Sequence, residues 1–212
     1  MSSPIDRKQL AADERRDFAD FLETLSTEQW NGPTLCADWN VRDVVAHVIS
    51  YEEAGTLALA GTFLRAAFRP DRVNDLRRHR YADHTPEQLI EFLRKHPHPR
   101  GLTAGAGGGI GLGDCLIHHQ DIRRPLGLPR QIPPERISEA LAVVLKAPVL
   151  PARRNAKDLY LHATDLDWST GAGPTITGPG EAILLALTGR TVALADLDGD
   201  GLATLRDRLA AR

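Results

Sequence analysis

Asp114 and His118 stand four residues apart in the stretch Gly113-Asp114-Cys115-Leu116-Ile117-His118-His119-Gln120-Asp121-Ile122-Arg123-Arg124-Pro125. On a helix that spacing puts both side chains on one face, with Asp121 about one turn further on. A carboxylate and an imidazole on adjacent turns can grip one divalent cation, provided a third ligand arrives from elsewhere. The candidate third ligand is His47, which lies among Val41, Val44, Val45, Val48 and Ile49. Two core helices of a bundle can bring such side chains to a common axis. Each residue also has a structural reading. His47 can be a hydrogen-bonded core residue, and Asp114 can cap a helix that begins after Gly113. Asp121 can orient a ligand imidazole or pair with Arg123 or Arg124. His119 points about 100° away from His118, which suits a supporting or surface residue better than a ligand.

Composition narrows the classes of function. In 212 residues the chain carries 42% apolar and 25% charged residues, as ordinary globular proteins do. A formal net charge of −2 gives no electrostatic case for nucleic acid or an anionic membrane as partner. No apolar run approaches the roughly 20 residues of a membrane span, and the first turn is charged rather than signal-like, so the expected location is the cytoplasm. Cys36 and Cys115 are too few for a disulfide framework. Cys36 reads as a small packed side chain in preference to a reactive thiol, since no basic neighbour in sequence lowers its pKa.

The elements that must position these residues follow from period and punctuation. Leu10, Phe18, Phe21, Leu22 and Leu25 mark an amphipathic helix from Ile5 to about Leu25. A loop punctuated by Gly32 and Pro33 leads to Asn40, a cap for the helix that bears His47 and runs on to Phe68, where Pro70 ends it. Asp71 to His84 reads as a charged connection with a frayed helical piece. Thr85-Pro86-Glu87-Gln88 opens a helix to about Lys95. Gly105 to Gly109 form a loop, and Gly107-Gly108-Gly109 lacks the Lys-Ser/Thr of a phosphate cradle. After the Asp114 helix, Pro133 and Pro134 start another, from Glu135 to about Leu145. Pro148 and Pro151 then break the pattern. Strands are expected at 159–164, 174–179 and 191–194, with a short apolar helix at 180–188 and a closing helix to Ala211. The expected organisation is a mainly α chain, with a helical bundle over 1–148 and a small α+β domain over 149–212.

The run Trp30-x-x-Pro33-Thr34-x-Cys36-x-x-Trp39-x-Val41-Arg42-Asp43-Val44-Val45-Ala46-His47 resembles the first signature of the mycothiol-dependent maleylpyruvate isomerase family, part of the DinB-like metalloenzyme superfamily. The family's second signature, Glu-x-x-x-His with an Asp three residues on, is similar to Asp114, His118 and Asp121. The tail from Gly171-x-Gly173-Pro174 through Gly189-Arg190 to Gly199-Asp200-Gly201 resembles its small C-terminal domain. The resemblance implies an up-down four-helix bundle with a zinc-like divalent ion on His47, Asp114 and His118. It also implies mycothiol or a similar low-molecular-weight thiol as cofactor, held as a thiolate nucleophile. The implied reactions are cis–trans isomerisation of a maleylpyruvate-like substrate or conjugation of the thiol with an electrophile. Asp114 stands where the family usually has Glu, one methylene longer. Arg190 can clamp a carboxylate of a dicarboxylate substrate or pair with Asp196 or Asp198. A non-catalytic metal- or ligand-binding bundle and a metal-assisted hydrolase use the same residues. No motif specifies an oligomeric state.

Overall fold

The computed structural model describes residues 6–51, 73 and 79–211. The helix expected to continue from Tyr51 to Phe68, and most of the charged connection after it, lie outside the described residues. His79–Tyr81 within that connection forms one 3₁₀ turn.

Contacts divide the chain into two units, Met1–Arg130 and Gln131–Arg212. In the first, Asp6 caps α1 (Arg7–Glu23) by accepting the N–H groups of Lys8 and Gln9. Ser26 caps the single turn α2 (Thr27–Trp30). Asn40 and Asp43 form a reciprocal capping box at the start of α3 (Val41–Ser50), and Thr85 and Gln88 another at α4 (Pro86–Lys95). Irregular 3₁₀ turns over Gly101–Gly108 lead into α5 (Gly109–Leu126). Helix α1 packs on α4 and α5, and α3 packs on the same two, which closes a four-helix ring. Phe18, Leu22, Val44, Val45, Ile49, Leu89, Leu93 and Ile122 fill its core. Each such side chain contributes about 1.5–3 kcal/mol by leaving water.

Helix α5 begins at Gly109, one turn before the expected start, despite three glycines in its first five residues. The missing side chains permit close approach: a Cβ on Gly111 would lie 2.9 Å from the Pro99 ring and 3.1 Å from the Thr103 carbonyl. Asp114 is therefore inside the helix, and its reading as an N-cap is set aside.

The second unit opens with α6 (Pro134–Val144) and a single turn, α7 (Ala152–Asn155). Strands β1 (Tyr160–Ala163), β2 (Ser169–Gly171) and β3 (Thr175–Gly178) form a sheet in the order β2-β1-β3. β1 runs antiparallel to β2 and parallel to β3, with Leu161 opposite both Thr170 and Ile176. Helix α8 (Gly180–Leu187) is buried from Ala182 to Leu187 and lies against β1, β3 and α6. Such all-round burial matches its apolar sequence. Helix α9 (Leu202–Ala210) ends the chain.

One expected strand is corrected. Thr191–Asp196 is a 3₁₀ segment rather than β structure. The open edge of β3 is already taken by the turn that follows, since Thr177 and Asp198 exchange both backbone hydrogen bonds at 2.8 Å and Gly201 N–H reaches the Thr175 carbonyl. With no edge to pair on, the segment satisfies its own backbone by curling.

Candidate metal centre

The apolar face that fastens α3 into the bundle also carries His47, which is 7% exposed. On α5, Asp114 and His118 stand one above the other, opposite His47. Asp114 Oδ1 is 3.7 Å from His47 Nε2 and 3.6 Å from His118 Nε2. One ligand atom from each of the three residues lies within 4.8 Å of the others. The two imidazoles meet edge to face, with centroids 4.7 Å apart and planes at 76°. Trp39 and Tyr51 flank His47, with ring centroids at 5.1 and 5.5 Å.

These separations suit a cation. Ligands about 2.0–2.2 Å from a tetrahedral zinc ion stand about 3.4 Å from one another, so the two distances from Asp114 would contract by only a few tenths of an ångström. Despite its missing methylene, Asp114 reaches both imidazoles. Its side chain is 25% exposed, whereas His47 and His118 are near 10%, so the carboxylate marks the side on which a fourth ligand can enter.

Behind the trio, His118 Nδ1 donates to Asp121 Oδ2 at 2.9 Å, and the Cys36 thiol donates to the same oxygen at 3.2 Å. Asp121 is fully buried. Arg123, one of the two arginines considered as its partner, instead donates to His119 and to the Leu128 carbonyl. Burial works against charge on His118. Its hydrogen bonds to Asp121 and Cys36 and the charges of Asp114 and Asp121 nevertheless raise its pKa to about 10. Burial likewise opposes ionisation of Asp114, yet the His47 hydrogen bond and the His118 charge hold its pKa below the usual carboxylate range. The cluster is thus set for a positive charge beside an ionised carboxylate. A metal ion would replace the His118 Nε2 proton.

His119 is neither a ligand nor a surface residue. It is fully buried, stacks near Phe18 and Phe21, and receives a hydrogen bond from Arg123 Nε at its Nε2. An arginine can only donate, so the His119 proton sits on Nδ1, which donates to Glu14 Oε1 at 3.0 Å. Arg130 adds two hydrogen bonds to Glu14 and one to Gln120. The sequence reading missed Glu14 and Arg130. The signal was available for the first, because Glu14 shares the face of Ala11 and Phe18 on α1 and so falls on a buried stripe.

Cys36 packs against the bundle core, as its reading from sequence held, but its thiol also faces Asp121 and lies 3.7 Å from His118 Nδ1. Cys36, His118 and Asp121 form a second group of atoms at metal-ligand spacing. Arg190 is in the C-terminal unit, immediately before the 3₁₀ segment, and its Nη1 donates to the Thr188 carbonyl. Among the described residues, no helix is long and apolar enough to cross a membrane.

Residues 11–100 match the family model of the mycothiol maleylpyruvate isomerase N-terminal domain. That span contains the signature loop and His47, while Asp114 and His118 fall beyond it. No curated protein matches the chain. The crystal structure of the mycothiol-dependent maleylpyruvate isomerase is similar in fold, with a TM-score of 0.59 and 14% identity over 92% of this chain and 91% of that one. A histidine-to-alanine mutant of it gives a TM-score of 0.58 at the same identity and coverage. Residues 11–100 are thus similar to the mycothiol maleylpyruvate isomerase N-terminal domain, and the fold resembles that isomerase's over 92% of this chain.

Proposed function

We propose that this chain is a divalent-metal-dependent enzyme of the cytoplasm that uses a low-molecular-weight thiol, mycothiol or a close analogue, on a small electrophilic substrate. The reaction is cis–trans isomerisation of the maleylpyruvate kind or transfer of the thiol to the electrophile. The observation that carries this reading is the convergence of His47 Nε2, Asp114 Oδ1 and His118 Nε2 at ligand spacing, with the carboxylate partly open to solvent. Two imidazoles and one carboxylate suit zinc among the first-row ions. When bound, such an ion supplies a fourth position where a thiol is held as thiolate at neutral pH.

The protein's own share is positional. His47 and His118 present Nε2 from facing helices, and Asp121 keeps the Nδ1 proton of His118 directed away from the site. Trp39 and Tyr51 flank the His47 ring. Arg190 is proposed as the group that clamps a substrate carboxylate through its planar fork.

Metal content of protein purified without chelator is the test. About one zinc-like ion per chain, lost in His118→Ala and in His47→Ala, is expected. A metal-free wild type would reject the reading. Turnover of an unsaturated dicarboxylate or an electrophile should then require added thiol. Turnover that is metal-dependent but indifferent to thiol would point instead to hydrolysis by bound water. Metal without any turnover would leave a non-catalytic binding bundle.

A further inference from the structure

We propose that Cys36 is a positioning residue of the metal site, acting through Asp121 to fix the imidazole of His118; the inference rests on the metal-binding reading above. Two hydrogen bonds join the signature loop to the helix carrying two of the three ligands, and two more order the loop itself. The Leu35 N–H donates to the backbone carbonyl of Asp121 at 3.0 Å. The Cys36 thiol donates to the Asp121 carboxylate at 3.2 Å, on the same Oδ2 that accepts from His118 Nδ1. Thr34 Oγ1 orders the loop by accepting the Cys36 N–H at 3.1 Å and donating to the Trp39 carbonyl at 2.9 Å. The loop thus grips Asp121 at both its backbone and its side chain.

The carboxylate needs this grip. Asp121 is wholly buried, so water cannot orient it. Its own helix supplies the His118 contact, one turn back. The thiol supplies a donor from outside the helix, so that Oδ2 is approached from two directions. With Oδ2 held on Nδ1, the proton stays on Nδ1, and the Nε2 lone pair faces Asp114 and His47. Packing alone would ask only for a small apolar side chain at position 36 and would not need a donor there.

The experiment measures zinc affinity by chelator competition in the full chain, with melting curves of the metal-free proteins to verify the fold. Cys36→Ala should weaken binding about tenfold, the lower end of what outer contacts to a ligand histidine give. Cys36→Ser keeps a donor and should bind within about threefold of wild type. Asp121→Asn should lose about 10–100-fold. The double variant Cys36→Ala with Asp121→Asn should bind no more weakly than Asp121→Asn alone, because the residue through which Cys36 acts is then already changed. In zinc-loaded protein, the His118 ring nitrogens should report one fixed tautomer in wild type and Cys36→Ser but not in Cys36→Ala.

Wild-type affinity in Cys36→Ala, an equal loss in Cys36→Ser, or losses that add in the double variant would each overturn the proposal. So would a second equivalent of cadmium in wild type that disappears in Cys36→Ala, since Cys36 would then be a ligand. A wild type that takes up no zinc overturns the metal reading and this inference together. A zinc-binding wild type with an indifferent Cys36→Ala overturns this inference alone.

Discussion

A buried carboxylate persists only where donors replace the water it has lost. Glu14 meets that condition with Arg130 and His119, in a network separate from the candidate metal centre. Burial alone would raise its pKa, but the His119 hydrogen bond and the Arg130 charge take it to about 2. Burial also dominates at His119, whose pKa falls to about 4. The two shifts act in the same direction on stability. Glu14 lends its full contribution above its ordinary pKa of 4.5 and loses it as pH falls toward 2. Below 6.5 the unfolded chain takes up a proton that folded His119 refuses, so stability also declines from pH 6.5 toward 4. Urea unfolding at pH 7, 5.5 and 4 should therefore show a falling midpoint, with a loss of about 3 kcal/mol for the pair, which shares one hydrogen bond. Glu14→Gln at pH 7 should cost a similar 3–5 kcal/mol, because Arg130 keeps a buried charge without its counter-charge. At the candidate metal centre the helical spacing of Asp114, His118 and Asp121 was legible in sequence, as was the place of His47 on a buried face. The contact between Cys36 and Asp121 was not, because it joins positions 85 residues apart through a loop with no period to read.

Among the elements, those with local signals were read from sequence. Asn40 and Thr85 announce their helices by cap chemistry alone, and both form capping boxes. The misread elements are those whose conformation is set by distant neighbours. Gly109 to Gly113 discourage a helix by propensity, yet α5 forms there because it packs on the preceding turns and on α1. Ser169–Gly171 has no apolar alternation, and it becomes β2 only because β1 offers an edge. The crossing from β2 to β3 is more tightly specified. The two strands flank β1, and only residues 172–174 join them, so the chain must pass close beside the start of β1. Gly171 and Gly173 make the passage, at φ +86° and +125°, and a Cβ on them would lie 2.2 Å from the Leu159 carbonyl oxygen and 2.4 Å from that of Asp158. Gly171→Ala or Gly173→Ala should each cost about 2 kcal/mol or more, combining backbone strain with a clash that no side-chain rotation relieves. Thermal unfolding would register this as a lower melting temperature, and hydrogen exchange should localise the loosening to β1–β3.

At the scale of the whole chain, the candidate ligands and the candidate substrate clamp fall in different compact units, His47, Asp114 and His118 in Met1–Arg130 and Arg190 in Gln131–Arg212. The contact boundary lies N-terminal to α6, whereas the sequence was divided after it at residue 148. The prolines at 148 and 151 are strong local breaks, but α6 rests on α8, and that contact assigns it to the second unit. The role proposed for Arg190 has a measurable consequence. Arg190→Lys keeps the charge and removes the planar fork, so two parallel hydrogen bonds to a carboxylate cannot form. Zinc affinity should be unchanged, because none of the candidate ligands or their partners Asp121 and Cys36 belongs to that unit. With a dicarboxylate substrate, kcat/KM should fall about tenfold or more, as expected for losing a charge-assisted hydrogen bond. With a neutral electrophile of similar size the same substitution should have little effect. A loss of zinc in Arg190→Lys would show that the arginine supports the fold of the site, and an equal fall with both substrates would remove the carboxylate from its role.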